Sequence, residues 1–218
     1  MYDFKSNLVL GFHGCEAAVR DELLMYPDRV KISKQPFDWL GHGLYFWENN
    51  YERAWQWALS KQARNTIREP AVLGAVLQLG YCCDFLESQY IDLLSKYHKG
   101  MVNYYLSSGT PLPVNKDAKG DLHKDKLLRY LDCAAIEFMH DNLKSQNPDT
   151  TSVALPGFPV FDSVRGAFVE GGPAFEGSGI FSKTHIQICI RNLNCIRGFF
   201  KPQKRGNQKD CFLSNQPD

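Results

Sequence analysis

Apolar and polar positions along the chain alternate between two periods, and the changes of period mark its elements. Leu8-Val9-Leu10-Gly11-Phe12 is apolar without helical spacing and predicts a short buried strand that His13-Gly14 ends. Cys15 to Met25 follow as a helix, with apolar positions at Ala18, Val19, Leu23 and Leu24. Ser33 to Asp38 is polar, contains proline and predicts a loop. Leu44-Tyr45-Phe46 predicts a brief strand, Asn49-Asn50 a helix cap, and Tyr51 to Ala63 a helix. From Ala71 to Gly80 both alternating faces are apolar, the mark of a central strand covered on both sides.

The second half is read in the same way. Asp84-Phe85-Leu86-Glu87 resembles a capping box, and Leu86, Ile91, Leu94 and Tyr97 trace an apolar stripe along the helix it would start. Ser107 to Asp121 carries Gly, Pro and Lys without pattern and predicts a surface loop. Lys126 to Leu143 shows the strongest helical spacing, with Leu127, Leu128, Leu131, Ala135, Phe138 and Met139 on one face. Ser145 to Pro156 predicts another loop and Phe158 to Val169 a strand with a turn, leading into the glycine-rich run 170–179. The last strand, 184–190, alternates strictly. Ile186, Ile188 and Ile190 form a core face, and His185, Gln187, Cys189 and Arg191 form a polar face suited to an edge or a cleft.

Composition narrows the class but does not choose a function. A chain of 218 residues with 44% apolar and 22% charged residues is most simply one globular domain. A net charge of +1 gives no global field toward nucleic acid or membrane. No apolar run approaches the ~20 residues of a spanning helix and no signal-peptide pattern opens the chain, so a cytoplasmic location without membrane contact is the default expectation. The seven cysteines are odd in number and lack a Cys-x-x-Cys pair, which argues for reduced, mostly buried thiols. His185 and Cys189 share a strand face, but two ligands do not make a metal site, and no metal is expected. The basic run Arg197, Lys201, Lys204, Arg205 and Lys209 reads as a solvated tail or as a contact for a phosphate backbone.

Three separated motifs carry the candidate chemistry: Gly11-Phe12-His13-Gly14, Gly41-His42-Gly43-Leu44-Tyr45-Phe46, and Gln187 within His185–Ile190. Singly, each has an ordinary structural explanation: a core His beside a turn Gly, an aromatic core stripe, a polar strand position. Together, in this order, they resemble the nicotinamide-dinucleotide pocket of ADP-ribosyltransferases of the diphtheria-toxin and poly(ADP-ribose) polymerase type. The resemblance is closer to small bacterial toxin-like or anti-phage members than to the large polymerases.

That resemblance implies an α+β fold, an ADP-ribosyltransferase-like split β-sandwich of two short, mainly antiparallel sheets around an NAD cleft. The whole chain, 1–218, would form this domain, with a helical insertion at 81–156 and a basic tail at 200–218. It implies His13 as the ribose-holding residue, the Gly14 backbone as the carboxamide partner, and Tyr45, after Gly43, as the ring stacked under nicotinamide. Trp57 would be the second aromatic. Gln187 stands where the family places its catalytic Glu, and His185 where some members select the acceptor. A neutral amide hydrogen-bonds but cannot stabilise a cation as a carboxylate does, so chain elongation is not expected, and Glu170 or Glu176 in the glycine-rich loop is the alternative source of charge. Both also read as solvent-facing loop carboxylates. The implied activity is mono-ADP-ribosyl transfer: NAD as substrate, nicotinamide released, ADP-ribose passed to a protein or nucleic acid, with an antitoxin or inhibitor protein as a further partner. NAD hydrolysis and a catalytically inactive NAD-, ADP-ribose- or RNA-binding relative are the alternatives.

Overall fold

The structure, a computed structural model, describes residues 8–146 and 159–203. Among the described residues seven strands and four helices make an α+β fold: β1 (Val9–Glu16), α1 (Ala17–Met25), β2 (Leu44–Glu48), α2 (Tyr51–Ala63), β3 (Pro70–Leu77), β4 (Cys82–Asp84), α3 (Ser88–Ser108), α4 (Tyr130–Gln146), β5 (Ser163–Phe168), β6 (His185–Ile190) and β7 (Ile196–Phe200). The strands form one mixed sheet in the order β4-β5-β6-β2-β1-β3-β7, where two separate sheets were expected. Every pairing is antiparallel except β4 with β5.

One boundary inside the sheet is narrow and forms a seam. β1 and β3 pair along eight positions, from Val9↔Leu77 to Glu16↔Pro70, but β1 and β2 pair only at Gly11↔Glu48 and Phe12↔Trp47. Those two pairs join the halves into one sheet. Beyond them a side chain bridges the strands, because the His13 Nδ1–H donates to the Tyr45 carbonyl at 2.7 Å.

β6 lies inside the sheet, between β5 and β2, and both of its faces are covered. Ile188 and Ile190 pack with Leu44, Phe46, Ala75 and Leu77. Cys189, expected on a polar face, packs under the α3–α4 side with Leu40, Leu93, Met139 and Leu143. Burying an Ile in this way contributes about 1.5–3 kcal/mol. The polar reading of that face therefore holds only at its N-terminal end, where His185 and Gln187 sit.

Local chemistry sets several boundaries. The Asn50 side chain accepts from the Arg53 N–H at 3.0 Å and caps α2 as expected. α4 starts at Tyr130, not Lys126, because Lys124 and Lys126 have φ of 56° and 54°, outside the helical region, and Leu128 is held in a bridge with Lys116. Asn115 caps its first turn, accepting from the Leu131 N–H at 2.8 Å. Asp84 ends β4 instead of capping a helix; its carboxylate accepts from Leu86 N–H and from Arg165. In α3 the buried side chains are Leu93 and Met101, while Leu86 and Ile91 from the expected stripe are exposed.

β1 continues through Glu16, so His13-Gly14 lies within the strand and does not end it. β3 ends at Leu77, short of Gly80, and β5 begins only at Ser163. Residues 196–200, expected to be partly basic tail, form edge strand β7 on β3. The tail residues Lys204, Arg205 and Lys209, with the rest of 204–218, lie outside the described residues, as do residues 147–158. The segment 81–156 holds β4 as well as α3 and α4. Among the described residues no helix is long and apolar enough to cross a membrane.

Candidate functional site

A cavity of about 450 Å³ opens at the seam between the two halves of the sheet. His13 from β1, Gly43 beside β2, Tyr45 and Trp47 from β2, and His185 and Gln187 from β6 line it, together with Trp57 and Glu170. The three motifs separated in sequence thus meet on one hollow. Two expected residues do not line it. Gly14 packs against α2, where an added Cβ would collide with the Ala54 carbonyl oxygen, so its lack of a side chain is explained by strand–helix contact. Glu176 is exposed at the tip of the glycine-rich loop.

The polarity of each group follows from its partners. The Tyr45 carbonyl can only accept, so His13 carries its proton on Nδ1 and keeps the Nε2 lone pair as an acceptor. Burial, reinforced by the nearby Lys61 ammonium and opposed by that carbonyl, holds the His13 pKa below its usual value. The Tyr45 hydroxyl donates to the Gly41 carbonyl at 2.7 Å and accepts from the Leu40 N–H at 2.9 Å. Burial pushes its pKa well up, so it is a neutral ring in the wall with its polar end tied down.

Gln187 is fixed by a neighbour absent from the expected site. The Trp39 indole Nε1–H, which can only donate, meets Gln187 Oε1 at 2.5 Å. That contact turns the Gln187 NH2 away from Trp39, so the position offers a donor where a catalytic carboxylate would offer a negative charge. His185 donates from Nδ1 to the Lys183 carbonyl at 2.7 Å and stacks on Phe168 at 5.7 Å. Burial pushes its pKa down to about 4.

The cavity also has a cationic side. Lys31, Arg53, Lys61 and Arg64 line it against two carboxylates, Asp38 and Glu170. Arg53 pairs with Glu170, whereas Lys31, Lys61 and Arg64 have no carboxylate partner among the described residues. Lys61 and Arg64 lie 5.7 and 5.4 Å from the centroid of Trp57. Two cations beside that indole would repel a cationic ring stacked on it. Trp47 lies between Trp57 and His185, with ring centroids 5.9 Å from Trp57 and 6.1 Å from His185.

Buried polar atoms without partners concentrate here. Trp47 Nε1, Arg53 Nε and His185 Nε2 belong to cavity-lining residues, and only Arg129 Nε and His140 Nε2 join them among the described residues. Since buried polar groups are normally paired, three orphans on one hollow point to a polar ligand. Sequence reasoning missed Trp39, Trp47 and the cations. Arg53, Trp57, Lys61 and Arg64 nonetheless recur at helical spacing on α2, a stripe legible beforehand. The segment read as a surface loop supplies Ala118, and the start of the expected long helix supplies Leu127 and Leu128, to the cavity wall. No family model, curated protein or solved structure matches the chain.

Proposed function

We propose that the protein binds NAD at the seam, cleaves its nicotinamide–ribose bond and transfers the ADP-ribose to a macromolecular acceptor. The observation that carries this reading is the convergence of His13, Tyr45, Trp47 and Gln187 on one cavity that Lys31, Lys61 and Arg64 also line. The volume lies within the ~300–1,000 Å³ of small-molecule sites. His13 Nε2 accepts from a ribose hydroxyl, Tyr45 and Trp47 flank the nicotinamide, and Lys31, Lys61 and Arg64 face the pyrophosphate. Bond cleavage places positive charge on the anomeric carbon, and holding the sugar in reacting geometry supplies several kcal/mol of the barrier reduction.

Labelled NAD incubated with the protein and a cell lysate tests the reading. Nicotinamide release with label on protein or nucleic acid is expected, and His13→Ala lowers it at least ~100-fold, in line with loss of a positioning contact. Release without labelled macromolecule makes water the acceptor. A second reading, NAD binding without cleavage, is favoured by the outward NH2 of Gln187; it predicts saturable NAD binding and no nicotinamide.

A further inference from the structure

We propose that Glu170 is the catalytic carboxylate of this cavity and that its ion pair with Arg53 is a latch opened by the phosphates of the dinucleotide. The inference rests on the NAD-cleaving reading of the site. Gln187 presents a donor, so the electron-rich group that a developing ribosyl cation needs has to come from elsewhere. Among the described residues only Asp38 and Glu170 bring carboxylates to the cavity. Asp38 is committed to its own turn, accepting from the Gln35 N–H at 2.9 Å.

Sheet register places Glu170 correctly. Gly166 pairs with Gln187 and Phe168 with His185, so these residues share one face of the β5–β6 ladder. Alternation carries that face two residues on, to Glu170, whose carboxylate lies 3.8 Å from His185 Nδ1. The glycine-rich segment that follows is anchored there, with the Gly171 N–H donating to Asp125 at 2.7 Å and Lys183 N–H to the Glu170 carbonyl at 3.1 Å. Glu170 is therefore a wall residue, unlike exposed Glu176.

Arg53 supplies the latch. It gives Nη2 to Glu170 and Nη1 to Gln56, its Nε is buried without a partner, and it lines the same cavity as the three unpaired cations. A pyrophosphate drawn to those cations gives Arg53 a stronger acceptor and leaves Glu170 desolvated and uncompensated. Burial already pushes the Glu170 pKa up, against the pull of Arg53 and Lys183. In the reaction the anomeric C–N bond breaks, its electron pair passing to the nicotinamide nitrogen. The oxygen of water or an acceptor hydroxyl bonds to that carbon, and its proton passes to Glu170 and then to solvent.

The test compares the full-length wild type with Glu170→Gln, Arg53→Ala and the charge-free double variant Arg53→Gln/Glu170→Gln, each checked for folding by its melting transition. NAD affinity and nicotinamide release are measured across pH. The expected result is that Glu170→Gln binds NAD no more weakly than wild type while kcat falls at least ~100-fold, and that the double variant, which lacks the guanidinium offered to the phosphates, loses NAD affinity as well as turnover. In Arg53→Ala the acid limb of kcat/KM moves to higher pH, since Glu170 loses the cation that holds its proton affinity down. Glu170→Gln turning over within threefold of wild type, or an unmoved acid limb, overturns the latch and leaves the NAD reading standing. A wild type that neither binds nor cleaves NAD overturns both.

Discussion

Arg165 and Arg53 are both guanidinium groups held against this sheet, and they end in opposite states. Arg165 donates Nε and Nη2 to Glu48 at 2.5 and 3.0 Å and Nη1 to Asp84 at 2.7 Å, tying β5 to β2 and β4. Among the described residues Arg53 has one carboxylate, one amide and a buried Nε without a partner. The first arrangement is electrostatically closed and serves the fold. The second is open, lines a cavity, and stands among other unsatisfied polar atoms. Charge alone does not separate a structural arginine from a functional one; the completeness of its partners does.

The largest effect expected from this contrast is on stability. Arg165→Met takes from Glu48 and Asp84 the cation they share and should cost about 3–5 kcal/mol, read as the shift of a denaturant midpoint. The NAD affinity of the folded fraction should not change. Arg53→Met should cost clearly less, because Glu170 can turn into the cavity. Equal losses for the two would erase the distinction.

The next effect contrasts two buried histidines. His140 lies in the α3–α4 core beside Phe161 and His185 lies in the cavity wall, and burial pushes both pKa values down to about 4. Each folds neutral, so the unfolded chain binds more protons over the intervening range. Stability is full above about pH 6.5 and falls as pH drops through 4, by roughly 3 kcal/mol per group. His140→Phe and His185→Phe should each flatten that acid slope in urea titrations between pH 7 and 4. Only His185→Phe should also change NAD affinity; a change with His140→Phe instead would place the ligand in the wrong region.

The same contrast explains what the sequence discloses. Closed, local features are legible: α2 begins and ends where its spacing and Asn50 predict, and β2 follows directly on Gly41 and Gly43. β7 escaped because Arg197 and Lys201 bracket Gly198-Phe199-Phe200, a composition that reads as tail until β3 pairs with it. Open features depend on partners distant in sequence. The Trp39 hydrogen bond that turns Gln187 spans 148 positions and the Arg53–Glu170 pair spans 117, so neither leaves a local trace. The start of α4 failed for a related reason, since its cap, Asn115, sits outside the apolar pattern used to find it.

The smallest effect is expected at Lys61, and it decides whether the cations beside Trp57 belong to the site. Lys61 is half-buried, has no carboxylate partner among the described residues, and burial holds its pKa below the usual lysine value. A cation left unpaired in a partly desolvated position is unfavourable to the free protein and becomes favourable once an anion arrives. Lys61→Met should therefore weaken NAD binding by about 0.5–1 kcal/mol, roughly two- to fivefold, and reduce the salt dependence of that binding. The same substitution removes a charge that holds the His13 imidazole below its usual pKa, so the His13 titration followed by NMR should move upward. The two readouts probe one geometry from opposite ends. An upward His13 shift with unchanged NAD affinity would put Lys61 beside the imidazole but away from the phosphates, and would return the cationic side of the cavity to the solvent.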